Sequence, residues 1–170
     1  MKRGSVSDQP LGWRGKDRGD ITELEFIVES KKRRYPVAKP VGDNQHYDAL
    51  VDARWKIFRV QVKLAGAKHH NGYAVRSAWR TTHKSVSYRP KDADILAALI
   101  PGHGIWYLIP TRALKGRKVI HLYPFGCTKG RRSFEKYREA WWLLEKKKKN
   151  KKKKMRMTNK ATKRRTRRRT

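Results

Sequence analysis

Trp55-Lys56-Ile57-Phe58-Arg59-Val60-Gln61-Val62-Lys63-Leu64 reads as a β-strand. Aromatic and β-branched residues dominate it, and successive side chains of a strand leave opposite faces. Lys56, Phe58, Val60, Val62 and Leu64 share one face, which is largely core. Trp55, Ile57, Arg59, Gln61 and Lys63 share the other, which begins apolar and ends polar. Gln61 and Lys63 are two apart, so the strand aims both polar groups at one place.

Upstream, residues 47–53 form a second strand, and Asp52-Ala53-Arg54 turns the chain between the two. Paired as a hairpin, they bring Asp48 towards the Gln61 and Lys63 end. Gly42-Asp43-Asn44 is a further turn, and residues 36–41 are a short extended piece. Residues 20–33 are predicted helical, with Ile21, Leu24, Ile27 and Val28 as the buried stripe. Asp20 and Glu23 make a capping-box pattern at its start, and Pro36 follows its basic end. Glu23 lies on this helix where it can close over the Asp48, Gln61 and Lys63 cluster. Glu25 and Asp52 are the rival carboxylates; Asp52 also reads as a turn former.

Downstream, residues 73–79 are a strand and residues 81–90 a polar, basic loop. Residues 91–99 read as a short helix or helical turn. Residues 105–109 and 119–123 are two more strands. Residues 133–144 are predicted helical, with Ser133 as N-cap and Tyr137, Ala140, Trp141 and Leu144 on one face. Helices at the ends with strands between them imply an α+β or mixed-sheet α/β domain.

Charge sets the partner class. The chain has 170 residues, 45 Lys or Arg, 14 Asp or Glu and a formal charge of +31. Residues 146–170 contain 16 of those bases and no acid, which leaves 29 bases against 14 acids before them. Three parts are expected: a flexible arm over residues 1–18, a folded domain over 19–145 and a disordered basic tail over 146–170. Nucleic acid is the expected polyanion. No apolar run is long enough to span a bilayer, and no apolar segment of a secretory signal follows Met1. The single cysteine, Cys127, excludes a disulfide scaffold and a cysteine-based zinc cluster. An intracellular protein is expected, cytoplasmic or nucleoid-associated, or nuclear in a eukaryote.

Three stretches carry a resemblance: Gly19-Asp20-Ile21-Thr22-Glu23, Gly42-Asp43-Asn44-Gln45-His46-Tyr47-Asp48 and Arg59-Val60-Gln61-Val62-Lys63. Together they resemble the PD-(D/E)-x-K nuclease superfamily, and within it the small endonuclease branch that includes group I intron homing endonucleases. That branch carries Gln before x-Lys, and the separation of 13 from Asp48 to Gln61 fits its pattern. Residues 92–99 followed by Gly104-Ile105-Trp106-Tyr107-Leu108-Ile109-Pro110 are similar to its later sheet segment. The resemblance covers residues 19–123.

It implies a restriction-endonuclease-like α/β fold, a mixed central sheet flanked by helices. It implies an endonuclease that hydrolyses DNA phosphodiester bonds with Mg²⁺, or Mn²⁺ in its place. Asp48 and Gln61 would hold the cation through hard oxygens, with the Val62 carbonyl as a third donor and Glu23 in support. Lys63 would act on the attacking water and offset developing charge. Gln61 in place of the commoner carboxylate lowers the site's negative charge by one.

The basic residues supply candidate phosphate contacts. Arg76, Arg80, Lys84 and Arg89 surround the polar loop, Ser77 shares a strand face with Val75 and Trp79 and is a candidate phosphate contact, His46 lies close to the proposed site, and Arg131 and Arg132 form a second group. DNA is the expected partner, with RNA as the alternative, and no membrane. Cutting two strands takes two sites, so a homodimer or higher oligomer is expected. The rival functions are a non-catalytic nucleic-acid binder, including a ribosome-associated one, and a Holliday-junction resolvase-like nuclease. His69 and His70 read as surface residues of a loop.

Overall fold

The computed structural model describes residues 15–42, 44–66, 68–69, 72–126 and 134–145. Among the described residues one α-helix, α1 (Gly15–Lys32), precedes ten strands. In chain order these are β1 (Val37–Ala38), β2 (Ala49–Asp52), β3 (Ile57–Leu64), β4 (Lys68–His69), β5 (Gly72–Arg76), β6 (Ala78–Arg80), β7 (Ser85–Ser87), β8 (Ile95–Ile100), β9 (Ile105–Pro110) and β10 (Val119–Leu122). The main sheet has five strands in the order β1-β2-β3-β8-β9. It is mixed: β3 pairs β8 in parallel, and the other pairs are antiparallel. A three-stranded sheet, β10-β5-β4, and a two-stranded ribbon, β6-β7, complete the strands. The architecture is α/β of the restriction-endonuclease-like kind. No helix among the described residues is long and apolar enough to cross a membrane.

The hairpin of β2 and β3 forms as the alternation implies. Ala49 pairs Val60 and Asp52 pairs Ile57, while Arg54 takes a left-handed conformation in the turn (φ 66°). Asp52 Oδ1 accepts the Arg54 N–H at 2.6 Å, so this acid builds the turn. Two cores lie on the two faces of the main sheet. One joins Phe26 of α1 to Val51, Val60, Val62, Trp106 and Trp141. The other joins Leu96, Ala98, Ile100 and Tyr107 to Val75, Ile120 and Leu122 of the smaller sheet.

Several expectations are corrected. The helix includes residues 15–18, which the sequence assigns to the arm, and Thr22 Oγ1 already donates to the Arg18 carbonyl at 2.7 Å. Asp20 is therefore inside the helix and makes no capping box with Glu23, and Gly19 is carried within the helix as well. The buried face is Thr22, Phe26 and Ser30, not the Ile21, Leu24, Ile27 and Val28 stripe. Leu24 and Val28 are 56% and 52% exposed. The Phe26 ring decides the rotation of the helix: it meets Trp106 edge-on at 5.4 Å and stacks on Trp141 at 5.9 Å.

Residues 95–100 are a strand, not a helical turn. All six are buried, because the strand has a neighbour on each edge and a core on each face. Such a strand shows no polar alternation, and its Leu and Ala residues favour helix locally. The predicted strand over 73–79 is interrupted at Ser77, and the loop after it contains β7. Residues 135–144 are two 3₁₀ turns, Glu135–Tyr137 and Trp141–Leu144, in place of an α-helix. Its expected N-cap, Ser133, lies outside the described residues. Here carboxylates bind the sheet instead of neighbouring turns. Glu135 accepts Tyr107 OH at 2.5 Å and Tyr123 N–H at 2.7 Å. Glu139 accepts Trp106 N–H at 2.6 Å and Trp141 Nε1–H at 2.9 Å.

Asp94 locks the start of β8 to β3. It accepts the Arg59 N–H at 2.9 Å, Lys56 Nζ at 2.9 Å and Arg59 Nε at 3.2 Å. Burial alone would raise its carboxyl; the Arg59 backbone bond and the two basic side chains outweigh burial and hold it below the usual value of 3.8. A carboxyl depressed in the folded state stabilises above its unfolded value and loses that contribution as pH falls through the folded one. Asp94→Asn is expected to cost about 1–3 kcal/mol at neutral pH. The difference from wild type should shrink below pH 4, which urea titration at pH 7 and pH 3 measures.

Candidate active site

The hairpin register places the acid. Asp48 N–H donates to the Val60 carbonyl at 2.9 Å, one residue beyond the Ala49 and Val60 pair. Its carboxylate consequently turns back on β3. Oδ2 accepts Gln61 Nε2–H at 2.5 Å and Val62 N–H at 2.8 Å. A carboxylate only accepts, so the Gln61 amide nitrogen, not its oxygen, makes this bond. Gln61 Nε2 also lies 3.3 Å from the Val62 carbonyl. Gln61 is buried, Lys63 is half-buried, and the strand period sends both to the same side.

Burial pushes the Asp48 carboxyl above its usual range. The Val62 N–H opposes that, the charge of Glu23 adds to it, and Lys63 and Gln61 oppose it in turn. Glu23, on α1, thus acts electrostatically on the same carboxyl. Its own Oε2 lies 2.8 Å from Lys39 Nζ, an ion pair joining the helix to the chain just beyond β1. The Lys39 ammonium is held above its ordinary range: the Glu23 hydrogen bond raises it, burial opposes, and the charges of Glu23, Asp20 and Asp48 add.

The four residues singled out in the sequence therefore occupy one electrostatic neighbourhood. The rivals stand apart: Asp52 builds the turn of the hairpin, and Glu25 is exposed on α1. Sequence reasoning missed Lys39 and Tyr88. Lys39 is the only charged residue in the stretch 36–41, which is the signal it offered. Tyr88 is buried, and burial, then the charges of Asp48 and Asp92, push its phenol far up, so it stays neutral beside the site. Among the described residues no three His, Cys, Asp or Glu gather in a way that could hold a metal. The oxygen set here is two carboxylates, an amide and a backbone carbonyl.

Of the candidate nucleic-acid contacts, Arg76, Arg80, Lys84 and Arg89 are exposed. His46 is half-buried and stacks on Trp79 of β6, with ring centroids 4.1 Å apart and planes 24° apart. That stack ties the β6-β7 ribbon to the segment entering Asp48. Ser77 is corrected: it is fully buried, and its hydroxyl donates to the Arg117 carbonyl at 2.7 Å, so it has a structural partner instead of a phosphate. Arg131, Arg132, His70, Cys127 and the basic tail lie outside the described residues.

No curated protein matches the chain. Among solved structures it is similar to a bacterial homing endonuclease, I-Ssp6803I, at 27% identity and a TM-score of 0.70. The match covers 78% of this chain and 93% of that one. A looser likeness to MepB, at 15% identity, covers 74% of this chain and 98% of that one with a TM-score of 0.41. Residues 13–144 match the PD-(D/E)XK endonuclease family, which spans the helix, the hairpin and both cores. The half-buried acid against a Gln-x-Lys strand and the match over most of the chain lead to one identity: this protein is a nuclease and belongs to the PD-(D/E)XK endonuclease family.

Proposed function

We propose that the chain is a Mg²⁺-dependent endonuclease that hydrolyses DNA. The observation that supports this most directly is the Asp48 carboxylate, half-buried at the end of the hairpin and oriented by Gln61 and Val62 with Lys63 on the same side. The donor set fits a small hard cation, which takes oxygen ligands and keeps several waters. Both bonds to Asp48 fall on Oδ2, which leaves Oδ1 for a ligand. Gln61 Oε1 and the Val62 carbonyl are the neighbouring neutral oxygens, and Glu23 supplies a second carboxylate. When bound, such a cation polarises the scissile phosphate and lowers the pKa of a coordinated water.

The chain's own residues do the rest. Gln61 and Val62 fix the Asp48 carboxylate in one orientation, which avoids reorganisation during reaction. Lys63 places an ammonium beside the reacting phosphate, where it orients the attacking water and offsets negative charge. The β6-β7 ribbon, with Arg80 at the end of β6 and Lys84 in its turn, contacts the backbone of the nucleic acid. DNA is favoured over RNA by the likeness to a homing endonuclease. Cleavage of both strands calls for two such sites, hence a homodimer or larger assembly on DNA.

The test is incubation with supercoiled plasmid in Mg²⁺ and in chelator. Nicked or linear product only with the cation is the expected result; tight binding with no cleavage in Mg²⁺ or Mn²⁺ overturns the reading in favour of a non-catalytic binder. Preference for a four-way junction over duplex would instead assign a resolvase. Arg80→Ala with Lys84→Ala should weaken DNA binding similarly for unrelated sequences. The slope of log K against log salt should flatten by about 0.9 per lost phosphate contact, measured by fluorescence anisotropy across salt concentrations.

A further inference from the structure

The ion pair of Lys39 with Glu23 sits where the strand register puts it. Val37 pairs Val51 and Ala38 pairs Leu50, so Lys39 comes level with Ala49, next to Asp48. Pro36 and Pro40 bracket this short stretch and restrict its backbone. The side chain keeps its freedom: Lys39 is 47% exposed, against 22% for Glu23. An ion pair this exposed adds little stability, about 0–1 kcal/mol. Its position is more informative than its strength. Lys39 Nζ lies 2.8 Å from an oxygen of one of the two carboxylates available to a divalent cation. The charges of Asp20 and Asp48 also act on it. With Lys63, it gives the site two ammonium groups to balance Glu23 and Asp48.

We propose that Lys39 is the site's built-in counter-ion, which holds Glu23 in the resting protein and must be displaced from it when a divalent cation binds. Lys39 acts through Glu23, not on the reacting atoms, and thereby sets the cation concentration at which the site fills. This rests on the cation site proposed above. A lysine level with Ala49, just beyond the edge strand, adds a positive charge beside the two carboxylates. It also keeps cation affinity below what those carboxylates alone would give.

The experiment measures Mn²⁺ binding to the full-length protein without nucleic acid, from the electron paramagnetic resonance signal of free Mn²⁺. Lys39→Met, which keeps the length and removes the charge, is expected to bind Mn²⁺ about 10-fold more tightly. Lys39→Arg should remain within about 2-fold of wild type, since it keeps the charge. In a Glu23→Gln background the Lys39→Met gain should shrink to under about 3-fold, because the contact it releases is already gone. Unchanged or weaker binding by Lys39→Met overturns the proposal, and so does a full gain that persists with Glu23→Gln. Asp48→Ala separates the two levels. If it abolishes Mn²⁺ binding while Lys39→Met changes nothing, only the role of Lys39 fails. If Asp48→Ala binds as wild type does, the cation site itself fails.

Discussion

Asp48→Ala is expected to reduce Mg²⁺-dependent plasmid cleavage by about 10³-fold or more, and Lys63→Ala by about 10²–10⁴-fold. The two losses have different origins, and cation binding distinguishes them. Asp48→Ala removes a charged ligand and should abolish Mn²⁺ binding. Lys63→Ala leaves every oxygen donor in place and should bind the ion at least as well as wild type. Neither loss should come from unfolding. Asp48→Ala leaves Gln61 Nε2–H and Val62 N–H without their shared acceptor, which costs about 1–3 kcal/mol. A domain of this size holds about 5–15 kcal/mol, so circular dichroism should still show the folded spectrum. Cleavage by either variant at the wild-type rate would remove Asp48 and Lys63 from the active site.

The pH dependence follows from the same carboxyl. Burial raises Asp48 above its usual range, so a proton holds the site up to a higher pH than at an exposed aspartate. Cation and proton compete for one carboxylate. Apparent Mn²⁺ affinity of the wild type is therefore expected to fall as pH is lowered through this raised value, with proton release from that group rising towards one per ion bound below it.

Phe26→Ala carries the largest expected loss of stability, about 3–5 kcal/mol. The ring is fully buried and packs on two tryptophans, Trp106 of β9 and Trp141 of the C-terminal 3₁₀ turn. Its removal leaves a cavity where the helix, the sheet and the C-terminal segment meet. Leu24→Ala, on the same helix, is expected to change stability by no more than about 0.5 kcal/mol, because Leu24 is 56% exposed. Denaturant titration of both variants checks the pair. A large loss at Leu24 with a small one at Phe26 would rotate the helix to the stripe expected from its Ile, Leu and Val residues.

Glu135 and Glu139 show why the C-terminal segment could not be read as it folds. The positions of Tyr137, Ala140, Trp141 and Leu144 suit a helix, and local propensity does not oppose one. Each carboxylate instead takes a donor from the sheet: Glu135 binds Tyr107 OH and Tyr123 N–H, and Glu139 binds Trp106 N–H together with the nearby Trp141 Nε1–H. Bonds of this kind compete with the helical pattern and cannot be seen from spacing. Ser77 was misassigned for a related reason. Whether a hydroxyl meets solvent or a carbonyl depends on the segment near Arg117, forty residues away.

The hairpin, and the acid, amide and amine group at its end, are legible in the amino-acid order alone, because a turn and a two-residue period are local properties. So is the charge that directs the protein to a polyanion. Long-range packing settles which face of α1 is buried, that residues 95–100 are a central strand, and that Lys39 reaches Glu23. Each of those depends on what packs against the segment from far along the chain. A strand enclosed on both faces loses its alternation, a helix turns its largest ring to the sheet, and the β1-β2 pairing alone brings a solitary lysine to the carboxylates.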